Sequence, residues 1–194
     1  MSDWEIFFEE KIGEIAKEDY IVDIGGGLKF GKGLSQYEKL FESKKYVVLD
    51  KEPSYNPDII GDIHDLPLET NSVDAVVCKA VLEHVEQPWL AVKEIHRVLK
   101  PGGKALFYVP FLYPYHAERG TYKDFYRFSK DAVEYLFGNF SNLEYVKVRG
   151  FFETWFYFLP GRIKKVLSPV GRVLDRFIQQ SGNQTSGFNI YVIK

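Results

Sequence analysis

The sequence predicts an α/β fold in which a mostly parallel, doubly wound sheet carries helices on both faces. Apolar runs typical of buried strands alternate with segments whose apolar residues recur at helical spacing. The first run, 20–24, stops at three glycines, and the second, 46–50, ends in Asp50, as in adjacent parallel strands. Such alternation predicts right-handed crossovers between the strands.

The leading helix carries an apolar stripe from Trp4 to Ile15, with Ser2 or Asp3 as its cap. We expect it to lie across the cleft beyond the glycines. The other predicted elements are a strand at 20–24, a helix at 33–42, strands at 46–50, 59–60 and 74–79, a helix at 89–99, a strand at 104–109, a helix at 129–137, and strands at 143–149 and 188–193.

Length and composition predict a single domain spanning residues 1–194, because 45% of the residues are hydrophobic and supply a core. A net charge of −2 gives no general field that would attract nucleic acid. The single cysteine, Cys78, is expected to pack in a strand. The sequence shows neither a secretory signal nor a long apolar span, so a soluble cytoplasmic protein is expected.

The glycines at 25–27 and the acid at 50 together predict a nucleoside-binding pocket. Glycine lets a ligand lie against bare backbone, and a carboxylate suits the two neighbouring hydroxyls of a ribose. The dinucleotide pattern G-x-G-x-x-G fails, because Phe30 or Gln36 stands at its last position. The triphosphate pattern fails as well, because Gly31-Lys32-Gly33 lacks the hydroxyl that follows the lysine.

The chain resembles the class I S-adenosylmethionine-dependent methyltransferases, of the type 11-like group. The blocks that carry the resemblance are 22–27, Asp50, 61–67, 72–77, 82–85 and 97–103. One departure is Lys29, where many members have another glycine. The resemblance implies a Rossmann-like sheet with an antiparallel last strand, S-adenosyl-L-methionine as methyl donor and S-adenosyl-L-homocysteine as product.

The resemblance also implies a set of cofactor-binding residues. Asp62 would accept from the adenine amino group, and the amide of Ile63 would donate to a ring nitrogen. The amine end of the donor would meet Asp23, Gly25 and the peptide groups of 79 and 80. The full predicted set is Asp23, Gly25, Gly26, Gly27, Asp50, Lys51, Asp62, Ile63, Lys79, Ala80 and His84.

His84 follows the fourth strand, where α/β sheets bind ligands. A structural or cofactor-shaping role is favoured over catalysis, because the resembling family keeps this histidine across unrelated substrates. No metal is predicted, since the histidines at 64, 84, 96 and 116 form no pair at i, i+4 spacing and no cysteine cluster accompanies them.

The segment 110–129 follows the fifth strand and concentrates aromatic rings with His, Asp and Arg, so it predicts the acceptor site. It resembles a methyltransferase subgroup linked to cell-surface sugar or lipid pathways. His116 is the candidate general base, because imidazole titrates near neutral pH. Asp124 would either orient His116 or pair with Arg127. The predicted substrate-binding residues are Tyr113, Tyr115, Tyr126 and Arg127.

Residues 151–187 form a helical, partly basic insertion between the last two strands. Its apolar residues at helical spacing are Ile163, Val166, Leu167, Val170, Val173, Leu174, Phe177 and Ile178, with Arg162, Lys164, Lys165, Arg172 and Arg176 between them. Pro169 is expected to split or kink this helix. The insertion would pack on the domain or on a second subunit of a homodimer, contact a membrane surface through 155–178, or cover a greasy acceptor.

The sequence therefore predicts a methyltransferase acting on a small-molecule, sugar or lipid-linked acceptor, at oxygen. Two alternatives stay open: a module that binds S-adenosylmethionine without catalysis, and a protein or nucleic-acid methyltransferase. A nucleic-acid enzyme would usually carry [DNS]-P-P-[FY] after the fourth strand, whereas residues 78–81 read Cys-Lys-Ala-Val. Nucleic acid is therefore not expected as a partner.

Overall fold

A computed structural model describes residues 1–177 and 184–194, and its centre is a seven-stranded sheet. The strand order is β3-β2-β1-β4-β5-β7-β6. The strands are β1 (Tyr20–Ile24), β2 (Lys45–Asp50), β3 (Ile59–Ile60), β4 (Val73–Lys79), β5 (Leu99–Pro110), β6 (Asn142–Val148) and β7 (Gly187–Ile193).

The strands from β3 to β5 pair in parallel, while β7 is antiparallel to both β5 and β6. The mostly parallel sheet with an antiparallel last strand is thus confirmed. β1 and β4 are neighbours at the centre, where the strand order changes direction, so their carboxyl ends border the position at which such sheets bind ligands.

Helices cover both faces of the sheet, as predicted. They are α1 (Asp3–Ile15), α2 (Pro88–Val98), α3 (Lys130–Phe137), α4 (Phe151–Tyr157) and α5 (Gly161–Phe177). α1 packs into one apolar core through Phe8, Ile12 and Ile15. α2 and α3 pack into the other core, with residues such as Ile95 and Phe137. The paired cores hold the ends of β1, β2 and β4 in fixed positions.

Two details of the predicted helices are wrong. The helix expected at 33–42 is a 3-10 helix, Ser35–Phe41. The leading helix lies on the sheet rather than across the cleft, because Phe8, Ile12 and Ile15 are buried against strands. Pro169 lies inside α5, which continues from Gly161 to Phe177, so of the two predicted outcomes the split does not occur.

The insertion between β6 and β7 contains α4 and α5, which lie side by side. α5 turns Gly171 toward α4, where a β-carbon on this glycine would come within 2.8 Å of the Glu153 backbone. Ile178 of the predicted stripe lies outside the described residues. Among the helices that the structure does describe, none is long and apolar enough to cross a bilayer.

Candidate active site

One cavity of about 1100 Å³ opens at the carboxyl ends of β1, β2 and β4. It joins the predicted nucleoside end to part of the predicted acceptor end. The predicted site residues that line it are Gly25, Gly27, Asp50, Lys51, Asp62, Ile63, Ala80, His84, Tyr115 and His116. The predicted residues Asp23, Gly26, Lys79, Tyr113, Asp124, Tyr126 and Arg127 lie behind this lining.

The carboxylate of Asp50 faces the glycine bend. Its Oδ2 accepts from the amide of Gly27 at 2.9 Å, and its Oδ1 accepts from the amide of Glu52 at 3.0 Å. An ionised carboxylate offers about four lone-pair sites, so both oxygens keep capacity for further hydroxyl donors. Asp50 is therefore oriented by backbone and still able to bind a ribose.

The wall opposite Asp50 requires glycine at position 25. Gly25 has φ +66°, and a β-carbon there would lie 2.6 Å from a methyl carbon of Val81. Ala80, at the end of β4, also takes a positive φ of 53°, which is uncommon for a residue with a side chain. Both residues expose backbone to the cavity. The carboxylate of Asp50 and this exposed backbone fit an adenosyl group.

Asp62 lies at the far side of the nucleoside end. Its Oδ1 accepts from the backbone and the ring Nδ1 of His64, and its Oδ2 lies 3.2 Å from Nζ of Lys51. These hydrogen bonds from His64 and Lys51 outweigh partial burial and lower the pKa of Asp62. The carboxylate is held as an acceptor beside the backbone of Ile63, which lines the same cavity.

Asp23 does not reach the cavity, contrary to the expectation that it meets the donor amine. It is buried, and the hydroxyl of Tyr46 donates to its Oδ2 at 2.8 Å. Burial raises the pKa of Asp23 to about 6. Because its carboxylate packs under the backbone of Gly26, Asp23 supports the glycine bend from below.

A lysine occupies the peptide groups expected to receive the donor amine. Nζ of Lys32 donates to the carbonyl oxygens of Lys79 at 3.0 Å and Ala80 at 2.9 Å. In return, Nζ of Lys79 donates to the carbonyl of Lys32 at 2.7 Å. The two carbonyls thus bind an ammonium group, but the ammonium belongs to the chain itself.

The acceptor end is organised around the buried carboxylate of Glu83. Nε2 of His116 lies 3.7 Å and Nε2 of His84 lies 3.8 Å from its Oε1. Neither carboxylate oxygen has a hydrogen-bond partner among the described residues. At 3.7 Å the interaction is a charge attraction rather than a hydrogen bond. The proximity of Glu83 raises the pKa of His116, whereas burial lowers the pKa of His84.

Backbone carbonyls fix the two imidazole rings. Nδ1 of His116 lies 3.0 Å from the carbonyl of Pro114, and Nδ1 of His84 lies 2.7 Å from that of Lys123. A carbonyl only accepts, so each Nδ1 carries a proton. In the neutral ring Nε2 is then the free basic nitrogen, and both Nε2 atoms point toward Glu83.

Asp124 combines the two roles that sequence reasoning left open. Its Oδ2 accepts from Nη2 of Arg127 at 2.7 Å and from the backbone amide of His116 at 2.8 Å. The Arg127 guanidinium beside Asp124 holds the pKa of that carboxyl down at about 2. Asp124 therefore stays charged, pairs with Arg127 and anchors the backbone of His116.

Of the predicted substrate-binding residues, some line the cavity and others do not. Tyr115 is exposed and lines the cavity. Arg127 does not reach it, because its donors are taken by Asp124 and by backbone carbonyls that include Tyr113 and Pro114. The Tyr126 hydroxyl donates to the carbonyl of Glu86 at 2.7 Å. Arg127 and Tyr126 therefore hold the loop in position and do not line the cavity.

Tyr113 points away from the cavity toward the insertion. Its hydroxyl lies 3.0 Å from that of Tyr157, and the two rings stack with centroids 5.5 Å apart. Burial raises the pKa of Tyr113 to about 12, so the phenol stays neutral. The other edge of its ring meets His116, with centroids 5.1 Å apart.

Glu83, His84 and His116 also have the donor atoms of a metal site, which the sequence did not predict. Their ligand atoms all lie within 4.8 Å of one another. Zinc ligands at about 2.1 Å from the ion lie roughly 3.4 Å apart in tetrahedral geometry, so the group would contract to hold one. We interpret the cluster as a carboxylate that stabilises protonated His116.

Sequence reasoning missed the roles of Lys32 and Glu83. Glu83 did carry a signal, because a carboxylate beside a histidine after a buried strand lies at the ligand-binding edge of the sheet. Lys32 lies in a glycine-rich loop whose apolar residues have no periodicity. The sequence pattern therefore did not predict the direction in which its side chain points.

Comparison with known proteins agrees with this architecture. A methyltransferase domain family matches residues 23–107. The 2-methyl-6-phytyl-1,4-hydroquinone methyltransferase of Arabidopsis thaliana is 35% identical over 107 residues, 48% of this chain and 30% of that protein. An uncharacterized protein of Methanocaldococcus jannaschii is 28% identical over 147 residues, 68% of this chain and 70% of that protein. A match in a Streptomyces fradiae transposon protein covers only 15% of that protein, so the chain spans a minor part of some relatives.

The fold is also similar to that of a solved S-adenosylmethionine-dependent methyltransferase from Archaeoglobus fulgidus. The TM-score is 0.63 at 12% identity, over 98% of this chain and 92% of the other. The strand order and the glycine bend facing Asp50 agree with the family match over residues 23–107. Together they support a class I S-adenosylmethionine-dependent methyltransferase.

Proposed function

We propose that this protein transfers the methyl group of S-adenosylmethionine to a hydroxyl oxygen of a small-molecule, sugar or lipid-linked acceptor. One observation carries the proposal. The cavity that contains the glycine bend and Asp50 also contains His116, so a nucleoside site and a basic nitrogen share one cavity. The names of two kinds of relative, a hydroquinone methyltransferase and a ubiquinone biosynthesis O-methyltransferase, support a small-molecule acceptor.

The residues that would hold the methyl donor follow from the geometry. Asp50 would accept from the ribose hydroxyls, and the carboxylate of Asp62 with the amide of Ile63 would bind the adenine. The carbonyls of Lys79 and Ala80 would receive the amine, once Lys32 has left them. Each of these groups is already oriented by backbone or by a neighbouring side chain, which lowers the entropic cost of binding.

The bound donor supplies an activated methyl on a sulfonium, so the protein's task is mainly alignment and exclusion of water. The remaining chemistry is removal of the acceptor proton. Nε2 of His116 would take that proton, because Nδ1 already donates to the Pro114 carbonyl. The resulting imidazolium would be stabilised by Glu83, 3.7 Å away. Asp124 would keep the ring in position through the backbone.

We further propose that α5 rests on an anionic membrane surface. Its outward apolar residues form one stripe, and each has at least 46% of its surface exposed. The residues of this stripe are Ile163, Val166, Val170, Val173 and Phe177. Arg162, Lys165 and Arg176, also exposed, flank the stripe, and Trp155 and Phe158 of the α4 end extend it. An apolar stripe bordered by cations suits an anionic lipid interface.

The direct test uses calorimetry and a labelled methyl group. S-adenosylmethionine and S-adenosylhomocysteine should bind, and NAD should not. Transfer of labelled methyl to a component of cell extract should be lost in His116→Ala, with donor affinity nearly unchanged. His96→Gln, on α2 away from the cavity, is the matched control and should keep activity. Equal turnover in His116→Ala and the parent would remove His116 from the mechanism, and donor binding without any transfer would indicate a non-catalytic module.

A further inference from the structure

A second cavity, of about 480 Å³, lies between the end of β6, α4 and α5. Four basic residues line it: Arg149, Lys164, Lys165 and Arg172. The lining contains one carboxylate, Glu153, which is buried and 3.0 Å from Nη2 of Arg172. Arg149, Lys164 and Lys165 have no carboxylate within ion-pair distance in the part of the chain that the structure describes. The cavity therefore holds an excess of positive charge.

Two of the cations are held close together by one aromatic ring. The guanidinium carbon of Arg149 lies 4.3 Å and Nζ of Lys164 lies 4.1 Å from the centroid of Tyr157. Nη1 of Arg149 also donates to the hydroxyl of Ser186 at 3.1 Å. Like charges would otherwise separate in solvent, so this arrangement costs free energy that a bound anion would repay.

Two further observations point to an anionic ligand. Nε of Arg172 is buried and has no hydrogen-bond partner among the described residues. Its N–H group could therefore donate to an oxygen of a bound ligand. Arg149 has φ +62°, a strained conformation for a residue with a long side chain. A phosphate matches this set best, because it offers several acceptor oxygens to guanidinium and ammonium groups at once. The first turn of α5, from Gly161, lies in the same lining and adds its positive end.

One aromatic ring separates the second cavity from the acceptor end. Tyr157 stacks on Tyr113 at 5.5 Å, and Tyr113 meets His116 at 5.1 Å. Tyr157 and His116 are thus only two ring contacts apart, a distance that one extended small molecule can span. We infer that the methyl acceptor carries a phosphate group, and that Arg149, Lys164, Lys165 and Arg172 bind this phosphate. The inference rests on the proposed function and narrows its acceptor to phosphorylated compounds, either water-soluble or lipid headgroups.

The binding test uses inorganic pyrophosphate as the probe and needs neither methyl donor nor acceptor. Calorimetry on the whole chain should show binding that Lys164→Gln/Lys165→Gln weakens at least fivefold and Arg149→Gln at least tenfold. The charge-matched control Lys39→Gln/Lys93→Gln, at exposed sites elsewhere, should stay within twofold of the parent. The lysine pair lies on the surface of α5, so its replacement spares the strained backbone of Arg149. Equal pyrophosphate affinity in the parent and both cavity variants would overturn the phosphate site.

A second arm tests the acceptor itself. Cell extract treated with phosphatase should lose its capacity to accept labelled methyl, and mock-treated extract should keep it. Partition of the labelled product into an organic phase would identify a lipid headgroup, and retention in water a soluble phosphate. Full labelling after phosphatase treatment would refute the phosphorylated acceptor while leaving the methyltransferase proposal intact. Failure of transfer in every extract, with pyrophosphate still bound, would refute the methyltransferase proposal and leave only the phosphate site in the second cavity.

Discussion

Glu83 and His116 form a carboxylate–imidazole pair whose carboxylate is buried, with Oε1 and Nε2 3.7 Å apart. The two residues are 33 positions apart in the chain, one in the 3-10 turn after β4 and the other in the loop after β5. Both oxygens of Glu83 lack hydrogen bonds among the described residues. Protonation of His116 is the event that would neutralise this buried charge, so the pair links the acceptor end to pH.

Replacement of Glu83 by Gln should shift the pH dependence of turnover. Glu83 raises the pKa of His116, so the basic form of the parent predominates only above that raised value. In the Gln variant the pKa of His116 should fall, and the acidic limb of the rate profile should move to lower pH. NMR titration of the His116 ring measures the same pKa directly. Glu10→Gln, on the exposed side of α1, should leave both unchanged; an unmoved His116 titration in Glu83→Gln would refute the coupling.

Replacement of Asp50 by Asn should weaken binding of S-adenosylhomocysteine. The variant keeps the shape but replaces a charged acceptor that hydrogen-bonds Gly27 and faces the cavity. Hydrogen bonds to charged groups contribute about 1.5–3 kcal/mol, so calorimetry should show a loss of roughly tenfold or more. Glu38→Gln, exposed on the 3-10 helix, is the control. Retained affinity in Asp50→Asn would place the ribose elsewhere.

Lys32→Met should tighten donor binding. In the parent, Nζ of Lys32 occupies the carbonyls of Lys79 and Ala80, so the donor amine must displace an ammonium group. Without that competitor, the dissociation constant for S-adenosylhomocysteine should fall by roughly tenfold, a change of about 1.4 kcal/mol. Lys29→Met removes the same charge from the same loop and should have little effect. Weaker binding in Lys32→Met would instead indicate that Lys32 contacts the donor directly.

Chelators should leave turnover unchanged. The donor atoms of Glu83, His84 and His116 are too far apart to share an ion without movement. The interpretation that Glu83 stabilises protonated His116 requires no metal ion. Activity is measured after dialysis against chelator and after return of a divalent cation. A loss that the cation restores would assign the cluster to a metal and remove the general-base role of His116.

The outward stripe of α5 should carry membrane binding. The double change Val166→Ser/Phe177→Ser removes two of its most exposed members, 70% and 83% exposed, and should abolish sedimentation with anionic vesicles at moderate salt. Tyr135→Ser on α3, 84% exposed in the parent, is the matched control and should sediment as before. If the parent fails to sediment with any vesicle, the stripe has another partner. A dimer that the double change dissociates would identify a second copy.

The donor end of the site was predictable because its signals are local. Strand β1 stops at glycines that only a sharp bend explains, and β2 ends in a single acid, so pairing of the strands brings Gly27 and Asp50 together. The antiparallel direction of β7 was predicted from the family resemblance, since an apolar run does not indicate which way a strand runs in the sheet. The segment around His116 was placed correctly over the sheet edge, because it follows β5.

The remainder depends on which way side chains point. Arg127 was predicted at the substrate but turns to Asp124, a choice that the spacing of the two residues allows but does not impose. The cluster around Arg149 joins the end of a strand to a helix 15 and more residues later, and only the packing of α5 on α4 creates it. The periodicity of apolar residues indicates which face of a helix or strand is buried. It does not indicate which polar side chains will form hydrogen bonds or ion pairs with each other.

The position of β7 between β5 and β6 has a consequence for how this protein can diversify. Val148 and Gly187, where the insertion leaves and re-enters the sheet, are directly paired neighbours. Lengthening or replacing the segment between them leaves the sheet ends where they are, and the entropic cost of a longer loop grows only with the logarithm of its length. The segment that carries the proposed phosphate site can therefore be exchanged as a unit while the nucleoside-binding half and the loop around His116 stay in place.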